Sequence, residues 1–463
     1  MKFIGRANEI NILKELYNSD NFESILVYGR RRIGKSELIK ESFKNFEGIK
    51  IYFECQKASE LYNIQSLSEV LATAFNIPTP SFKTLNQVLE FVFNKSINEK
   101  IILVIDEYPY LRNNLEYLDS IIQNAIDKYI MNCKLKLILC GSYIDVMEEL
   151  LSAKNPLYGR FSIKMNIKQM NYLESSMFYP SLKNEDKVAY YSIFGGVPYY
   201  NQYIDETKSL KENIINLIAS PNARFLNEAE GFLLEEMTKL NNANECFYAI
   251  ALGNKKYKDI LNKSHISSSP MLSDVLKRLI KMDVIERVCP INDESEKKAT
   301  YEISERLSLF YYRYIFTKNS YFKIMAPDDF YDEFIKEDFL TKYVHHEFEK
   351  IAKQYFYLLN INHLINPPLY KIGKYYYDDL KNKKNGEFDV VTLNKNGYDF
   401  YEVKFTNKPI DDSVVNEEIK QLNSINIKYN KLGFISKSGF NLTANDNYVL
   451  ITLDDIYDLK SKG

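Results

Sequence analysis

The feature that most constrains this chain is an apolar strand, Ser24-Ile25-Leu26-Val27-Tyr28, that runs straight into Gly29-Arg30-Arg31-Arg32-Ile33-Gly34-Lys35-Ser36. The pattern G-x-x-x-x-G-K-S has a physical task. Its glycines let backbone N–H groups close around a triphosphate, its lysine reaches the β- and γ-phosphates, and its serine hydroxyl ligates Mg²⁺. The run Glu37 to Phe43 reads as a helix whose positive N-terminus faces the phosphates. Strand before and helix after is the context this loop requires, so Gly29, Ile33, Gly34, Lys35 and Ser36 are candidate nucleotide-binding residues. Arg30, Arg31 and Arg32 either add positive charge beside the nucleotide or are simply solvated; the motif leaves both open.

A second strand, Ile101-Ile102-Leu103-Val104-Ile105, ends in Asp106-Glu107. A continuous apolar run of this length is expected in a parallel sheet buried on both faces, and ligands of such sheets sit at the carboxyl ends of the strands. Asp106 is therefore the candidate to hold, through water, the Mg²⁺ that Ser36 ligates. Glu107 is the candidate to polarise the attacking water, since phosphoryl transfer needs positioning and charge neutralisation more than covalent chemistry. A third apolar strand, Lys136 to Gly141, ends at Ser142.

Composition narrows the class. The 463 residues suffice for two to four domains, and 45% hydrophobic with 26% charged residues is a globular balance. A formal net charge of −2 argues against a wholly basic nucleic-acid binder. The five cysteines show no C-x-x-C spacing, which suggests neither a zinc site nor a disulfide framework. The opening stretch is charged and already bears motifs, and no apolar run reaches the roughly 18 to 20 residues that span a bilayer. The expectation is a cytoplasmic protein without membrane partners.

At the N-terminus, Phe3-Ile4-Gly5-Arg6 with Glu9 precedes a helix. Together with Tyr28-Gly29-Arg30-Arg31-Arg32-Ile33-Gly34-Lys35-Ser36 and the later Gly195-Gly196-Val197-Pro198, this resembles the archaeal-type ATPase family of STAND-like, AAA-related P-loop ATPases, along essentially the whole chain. The resemblance implies ATP and Mg²⁺ as cofactors, Gly5 and Arg6 beside the adenine, Ser142 as a sensor of the γ-phosphate, and a helical lid containing the Gly-Gly-x-Pro. Arg160, in Pro156-Leu157-Tyr158-Gly159-Arg160, is open to two readings. It is an arginine finger or sensor at the nucleotide, the finger implying self-association, or else an ordinary surface arginine. The expected fold is multidomain α/β: a P-loop core over 1–170, a helical lid over 171–239, a winged helix over 240–318 and, after a polar linker at Asn319 to Asp332, a C-terminal α/β domain over 333–463.

The winged-helix reading rests on order: a helix near Cys246 to Leu252, a turn at Gly253-Asn254, a helix at Tyr257 to Asn262, a helix at Met271 to Met282, then two strands flanking a charged loop. Lys277, Arg278 and Lys281 suit a recognition helix for double-stranded DNA. The loop Asn292 to Lys298 mixes acids with lysines, which suits a relay of nucleotide state equally well.

In the last domain, Gly386-Glu387-Phe388-Asp389-Val390-Val391 and Asp399-Phe400-Tyr401-Glu402-Val403-Lys404 flank the turn Asn394 to Gly397. Alternation places Glu402 and Lys404 on one face. Two carboxylates converging beside a lysine meet the needs of a Mg²⁺-dependent phosphodiesterase. The spacing resembles the restriction-endonuclease-like PD-(D/E)xK core, although Phe388 stands where that motif has proline. The resemblance assigns Asp389 and Glu402 to the metal, Lys404 to the nucleophile or the developing charge, and Glu349 to the first helix of the core. On residue spacing alone, a solvated hairpin with a surface Glu402–Lys404 pair is the stronger reading. Two functions follow: an ATPase coupled to a metal-dependent nuclease, or a nucleotide-switched scaffold or DNA-binding regulator whose nuclease-like domain is inert.

Overall fold

The computed structural model describes residues 3–115, 117–229, 231, 243–293, 296–379, 384–425, 427–443 and 448–461. They form two compact units, one of residues 1–170 with 197–199, the other of residues 171–196 and 200–463.

The first unit is built on a parallel sheet of β1 (Glu23–Tyr28), β2 (Ile49–Glu54), β3 (Ile101–Asp106), β4 (Leu135–Gly141) and β5 (Ile163–Asn166), in the order β2-β3-β4-β1-β5. As the apolar runs anticipate, β3 and β4 are buried at every position. The helices Glu60–Phe75, Leu85–Lys95 and Leu118–Tyr129 bury Leu67, Leu71, Val88, Val92, Ile122 and Ile126 against this sheet. Each such side chain contributes roughly 1.5–3 kcal/mol of transfer free energy. Two of the helices start on threonine or serine caps, Ser59 accepting from the Tyr62 N–H and Thr84 from the Gln87 N–H. Register decides where the motifs fall. Tyr28 pairs with Gly141 and with Asn166, and Glu54 pairs with Asp106. The strand ends that carry the motifs are thereby flush on one edge of the sheet.

The second unit begins with helices. Asn171 and Ser209 open two of them through complete capping boxes with Glu174 and Glu212, and Asn184–Phe194 is buried along seven consecutive residues. Next come the helices Ala243–Ala251, Tyr257–Lys263 and Ser269–Lys281, then an antiparallel ribbon of β6 (Ile285–Val288) and β7 (Thr300–Ile303). The helix Ser269–Lys281 turns Leu272, Val275, Leu276 and Leu279 inward and leaves Lys277, Arg278 and Lys281 exposed.

The expected polar linker at Asn319 to Asp332 is not a linker. It forms the helices Asn319–Phe322 and Pro327–Phe334, because Phe322, Phe330 and Phe334 pack ring against ring. Beyond it, the helix Val344–Ile361 lies on a mixed sheet of β8 (Lys371–Asp379), β9 (Lys384–Asn394), β10 (Gly397–Lys404), β12 (Lys431–Ser436) and β14 (Val449–Thr452), in the order β14-β12-β10-β9-β8. A short parallel pair, β11 (Ile410–Asp411) with β13 (Phe440–Asn441), flanks it. The β9–β10 hairpin turns at Lys395-Asn396, where the Asn394 side chain accepts from the Asn396 N–H at 2.8 Å and Gly397 takes a φ of 127°.

Buried ion pairs tie the helices of this unit together. The Arg306 guanidinium donates to Glu347 at 2.7 Å and lies 4.5 Å from the centre of the Tyr191 ring. Both charges are nearly inaccessible, at 8% and 1%. Removing one member of such a pair leaves the other charge buried without full compensation. Arg306→Leu is expected to destabilise the second unit by about 3 kcal/mol, and Arg306→Leu with Glu347→Leu should recover most of that, read by denaturant unfolding. Equal losses in the single and double variants would show that the pair itself is not what matters.

Candidate nucleotide site and the C-terminal acidic cluster

Gly34 adopts a left-handed φ of 88° and caps the helix Lys35–Ser42, so the phosphate loop closes directly onto a helix N-terminus. Gly29 cannot carry a side chain, since a Cβ there would collide with the Ile167 carbonyl. Lys35 is buried and donates to the carbonyls of Gly29 and Arg30 at 2.9 Å each, which places its ammonium inside the loop.

The central node is Asp106, 2% exposed at the end of β3. Its Oδ2 accepts from Ser36 Oγ at 2.6 Å and from the Tyr52 hydroxyl, and its Oδ1 accepts from the Glu107 N–H at 2.9 Å. Burial opposes ionisation of Asp106, but the hydrogen bonds from Ser36, Tyr52 and Cys140 outweigh it and hold the carboxyl below its usual range. Burial, and then the Asp106 charge, push the Tyr52 phenol upward, so Tyr52 remains a donor. A serine hydroxyl beside an ionised carboxylate is a hard-oxygen donor set that fits Mg²⁺, and the loop fits a triphosphate.

Glu107 takes a left-handed φ of 50°, a conformation that costs energy for a residue with a Cβ. Ser142 Oγ lies 3.0 and 2.9 Å from its two carboxylate oxygens. The two expected reactive residues of β3 and β4 are therefore in direct contact. Arg31 donates to the Tyr143 hydroxyl at 2.9 Å. Arg32, with φ of 65°, stacks 4.1 Å from the Tyr199 ring centre, and Pro198 lies beside Gly34. Arg6, after Gly5, donates to Glu9 at 3.1 Å and to the Lys168 carbonyl, so the Gly-Arg segment and the phosphate loop lean on adjacent residues after β5.

Arg160 is not brought to this edge. Its guanidinium grips Asp127 at 2.9 and 2.8 Å, and its carbonyl accepts from Ser24, at the opposite end of β1 from the loop. Tyr52, Tyr143 and Tyr199 join the site without a motif to announce them. Tyr52 is signalled only by its place near the end of an alternating strand, and the neighbour of that strand is not written in the sequence.

The two carboxylates of the expected C-terminal constellation each face a lysine. Asp389 Oδ1 is 3.2 Å from Lys374 Nζ, whereas Glu402 is 2.5 Å from Lys404. Phe388 and Val391 join one apolar cluster although three residues apart, so strict alternation breaks beside Asp389. The β9–β10 pairing runs only as far as Tyr401 with Val390. Glu349 accepts from His346 Nδ1 at 3.0 Å, while Lys255 donates to His346 Nε2 at 2.9 Å. An ammonium can only donate, so that ring carries its proton on Nδ1. Among the described residues no group of three or more His, Cys, Asp or Glu is placed to hold a metal.

Glu418, on the helix Asp412–Ser424, was not expected. Burial, then the Glu402 charge, raise its carboxyl to about 7 despite Lys404. A raised acid favours the folded state while protonated, and that advantage is lost as pH rises from the free-glutamate range through 7. Glu418→Gln should therefore match the parent's stability near pH 4.5 and exceed it by roughly 2–3 kcal/mol at pH 8. A difference independent of pH in thermal unfolding scans would exclude the effect.

Comparison with known proteins agrees with this geometry. The family described as an ATPase domain predominantly from Archaea matches residues 3–204, and a family of archaeal and bacterial proteins of unknown function matches residues 311–431. An uncharacterized protein of Methanocaldococcus jannaschii is 32% identical over 409 residues, 87% of each chain. An uncharacterized ATP-binding protein of the same organism is 40% identical over 43 residues, 9% of this chain and 73% of its own. The Walker-type ATPase of Pyrococcus abyssi shares the fold at a TM-score of 0.50 and 20% identity, over 67% of this chain and 96% of that one. Among the described residues no helix is long and apolar enough to cross a membrane. The chain belongs to the archaeal-type P-loop ATPase family, its ATP-binding domain followed by a C-terminal domain known from archaeal and bacterial proteins of unknown function.

Proposed function

We propose that the chain hydrolyses ATP at the flush edge of the parallel sheet and uses nucleotide state to switch the second unit. The observation that carries this reading is the path of the chain. Residues 197–199 count with the first unit, while the residues on either side of them belong to the second. Tyr199 and Pro198 touch Arg32 and Gly34 of the phosphate loop, so a change in the loop is transmitted along the backbone into the helices Asn184–Phe194 and Leu210–Leu217.

Lys35 and the N–H groups at the start of the helix Lys35–Ser42 bind the phosphates. Ser36 and Asp106 would hold Mg²⁺, which would neutralise charge on the phosphoryl oxygens. Glu107 orients the attacking water once Ser142 turns from the carboxylate to the γ-phosphate. The three helices and ribbon over 243–303 act as a winged helix that relays this state. The C-terminal sheet is a nuclease-like binding module that does not cut. The support is that Asp389 is engaged by Lys374 and Glu402 by Lys404, so a shared metal would compete with both ammonium groups.

Glu107→Gln should bind ATP as the parent does and lower turnover roughly a hundred-fold or more, in a phosphate-release assay with a parallel binding titration. Unchanged turnover would remove Glu107 from the mechanism. Hydrogen exchange with and without ATP should show protection spreading into the helices Asn184–Phe194 and Leu210–Leu217, and Tyr199→Ala should abolish that response while keeping nucleotide bound. Plasmid incubated with Mg²⁺ or Mn²⁺ should remain intact. Cutting that disappears in Asp389→Ala would replace the inert module with a nuclease.

A further inference from the structure

A cavity of about 410 Å³ opens within the second unit, walled by the three-helix and ribbon module on one side and by β8 and β9 on the other. The volume falls in the range of small-molecule sites. Its lining carries five lysines against two carboxylates. Lys255 and Lys256 come from the turn before the helix Tyr257–Lys263, Lys297 and Lys298 from the segment before β7, and Lys374 from β8. Tyr376 adds a flat ring, 4.2 Å from the Lys298 ammonium.

These lysines divide into a fixed floor and a free rim. Lys374 is 4% exposed and is held by Glu302 at 3.4 Å, Glu387 at 3.1 Å and Asp389 at 3.2 Å. Lys255 rests on Glu302 at 3.2 Å. Glu302 is itself 3% exposed. Lys298 pairs with Asp293 at 3.0 Å. Lys256 and Lys297 are exposed at the mouth, and neither makes an ion pair among the described residues. The floor is neutralised from behind, whereas the rim charges have no partner among the described residues and line the same cavity.

We propose that this cavity binds a compact phosphorylated ligand of the nucleoside di- or triphosphate class, as a site separate from the phosphate loop. The rim lysines meet the phosphates, and Tyr376 lies along the base. Phosphate recognition by lysine point charges needs no bidentate geometry. Two acidic residues on the wall, Asp259 and Glu387, select against a long polyanion. A nucleic-acid backbone must lay phosphates along the whole surface, while a small ligand turns its charge to the lysine side alone. Occupancy bridges the ribbon module and the C-terminal sheet. The inference stands whether or not that sheet cuts anything.

The test uses the full chain carrying Lys35→Ala to weaken the phosphate loop, titrated calorimetrically with ATP and with inorganic tripolyphosphate. The expected result is one-to-one binding that survives Lys35→Ala. Adding Lys256→Glu with Lys297→Glu should weaken it at least about ten-fold, the loss of a little over 1 kcal/mol, with the melting midpoint unchanged. Lys256→Gln with Lys297→Gln repeats the comparison with a milder change. Absence of binding in the Lys35→Ala chain, or binding indifferent to both rim pairs, overturns the proposal. Displacement of ATP by short duplex DNA at lower concentration than by tripolyphosphate also overturns it, in favour of a nucleic-acid surface.

Discussion

The buried carboxylate of Asp106 is the constraint on which the first unit turns. A charge with 2% of its surface accessible must be satisfied on every oxygen. Its donors come from the helix after the phosphate loop (Ser36), from β2 (Tyr52) and from its own strand end (the Glu107 N–H). Meeting that demand locks three separate stretches of chain into one edge. The same geometry keeps Asp106 ionised, which is what a Mg²⁺ ligand requires. Structure and chemistry here share one cause.

Around that node two residues carry backbone strain, one in the phosphate loop and one at the end of β3. Arg32 and Glu107 both adopt left-handed backbone conformations although neither is glycine. Such conformations persist where surrounding contacts over-determine them. For Arg32 the contact is the Tyr199 ring, and for Glu107 it is the Ser142 hydroxyl. Each is the kind of interaction a phosphate could compete for. Both residues are thus held by single polar or ring contacts, beside the strands β3 and β4 that are buried at every position.

The second unit uses buried charge differently. Arg306 with Glu347, and Glu302 among Lys255, Lys350 and Lys374, join helices to strands. Burial alone would discharge Glu302, yet the surrounding ammonium groups hold it well below the usual carboxylate range. Lys374 belongs to this network, and so Asp389 is drawn to a lysine of β8 and not to Glu402. Alternation assumes an unbroken pleat, and β9 departs from it beside Asp389. The break between Phe388 and Val391 is set by the fit of both side chains into one apolar cluster, and no local sequence signal marks it. The helices at Asn319–Phe322 and Pro327–Phe334 were missed for a related reason. Polar residues dominate that stretch, and only the spacing of Phe322, Phe330 and Phe334 hinted at a packed surface.

Local physics fixed what lies along the chain. A glycine-rich turn between a buried strand and a helix, carboxylates at the end of an apolar run, and a serine after another were legible because each depends on neighbours a few residues away. The structure places Gly29, Gly34, Lys35, Ser36, Asp106, Glu107 and Ser142 on the edge those patterns imply. Tertiary structure alone decided strand order, which put Tyr52 on Asp106. It also decided the return of residues 197–199 to the phosphate loop and the partition of lysines into a satisfied floor and an open rim. These depend on which surfaces fit against one another across dozens of residues. A periodicity records that a face will be buried, but not what will bury it.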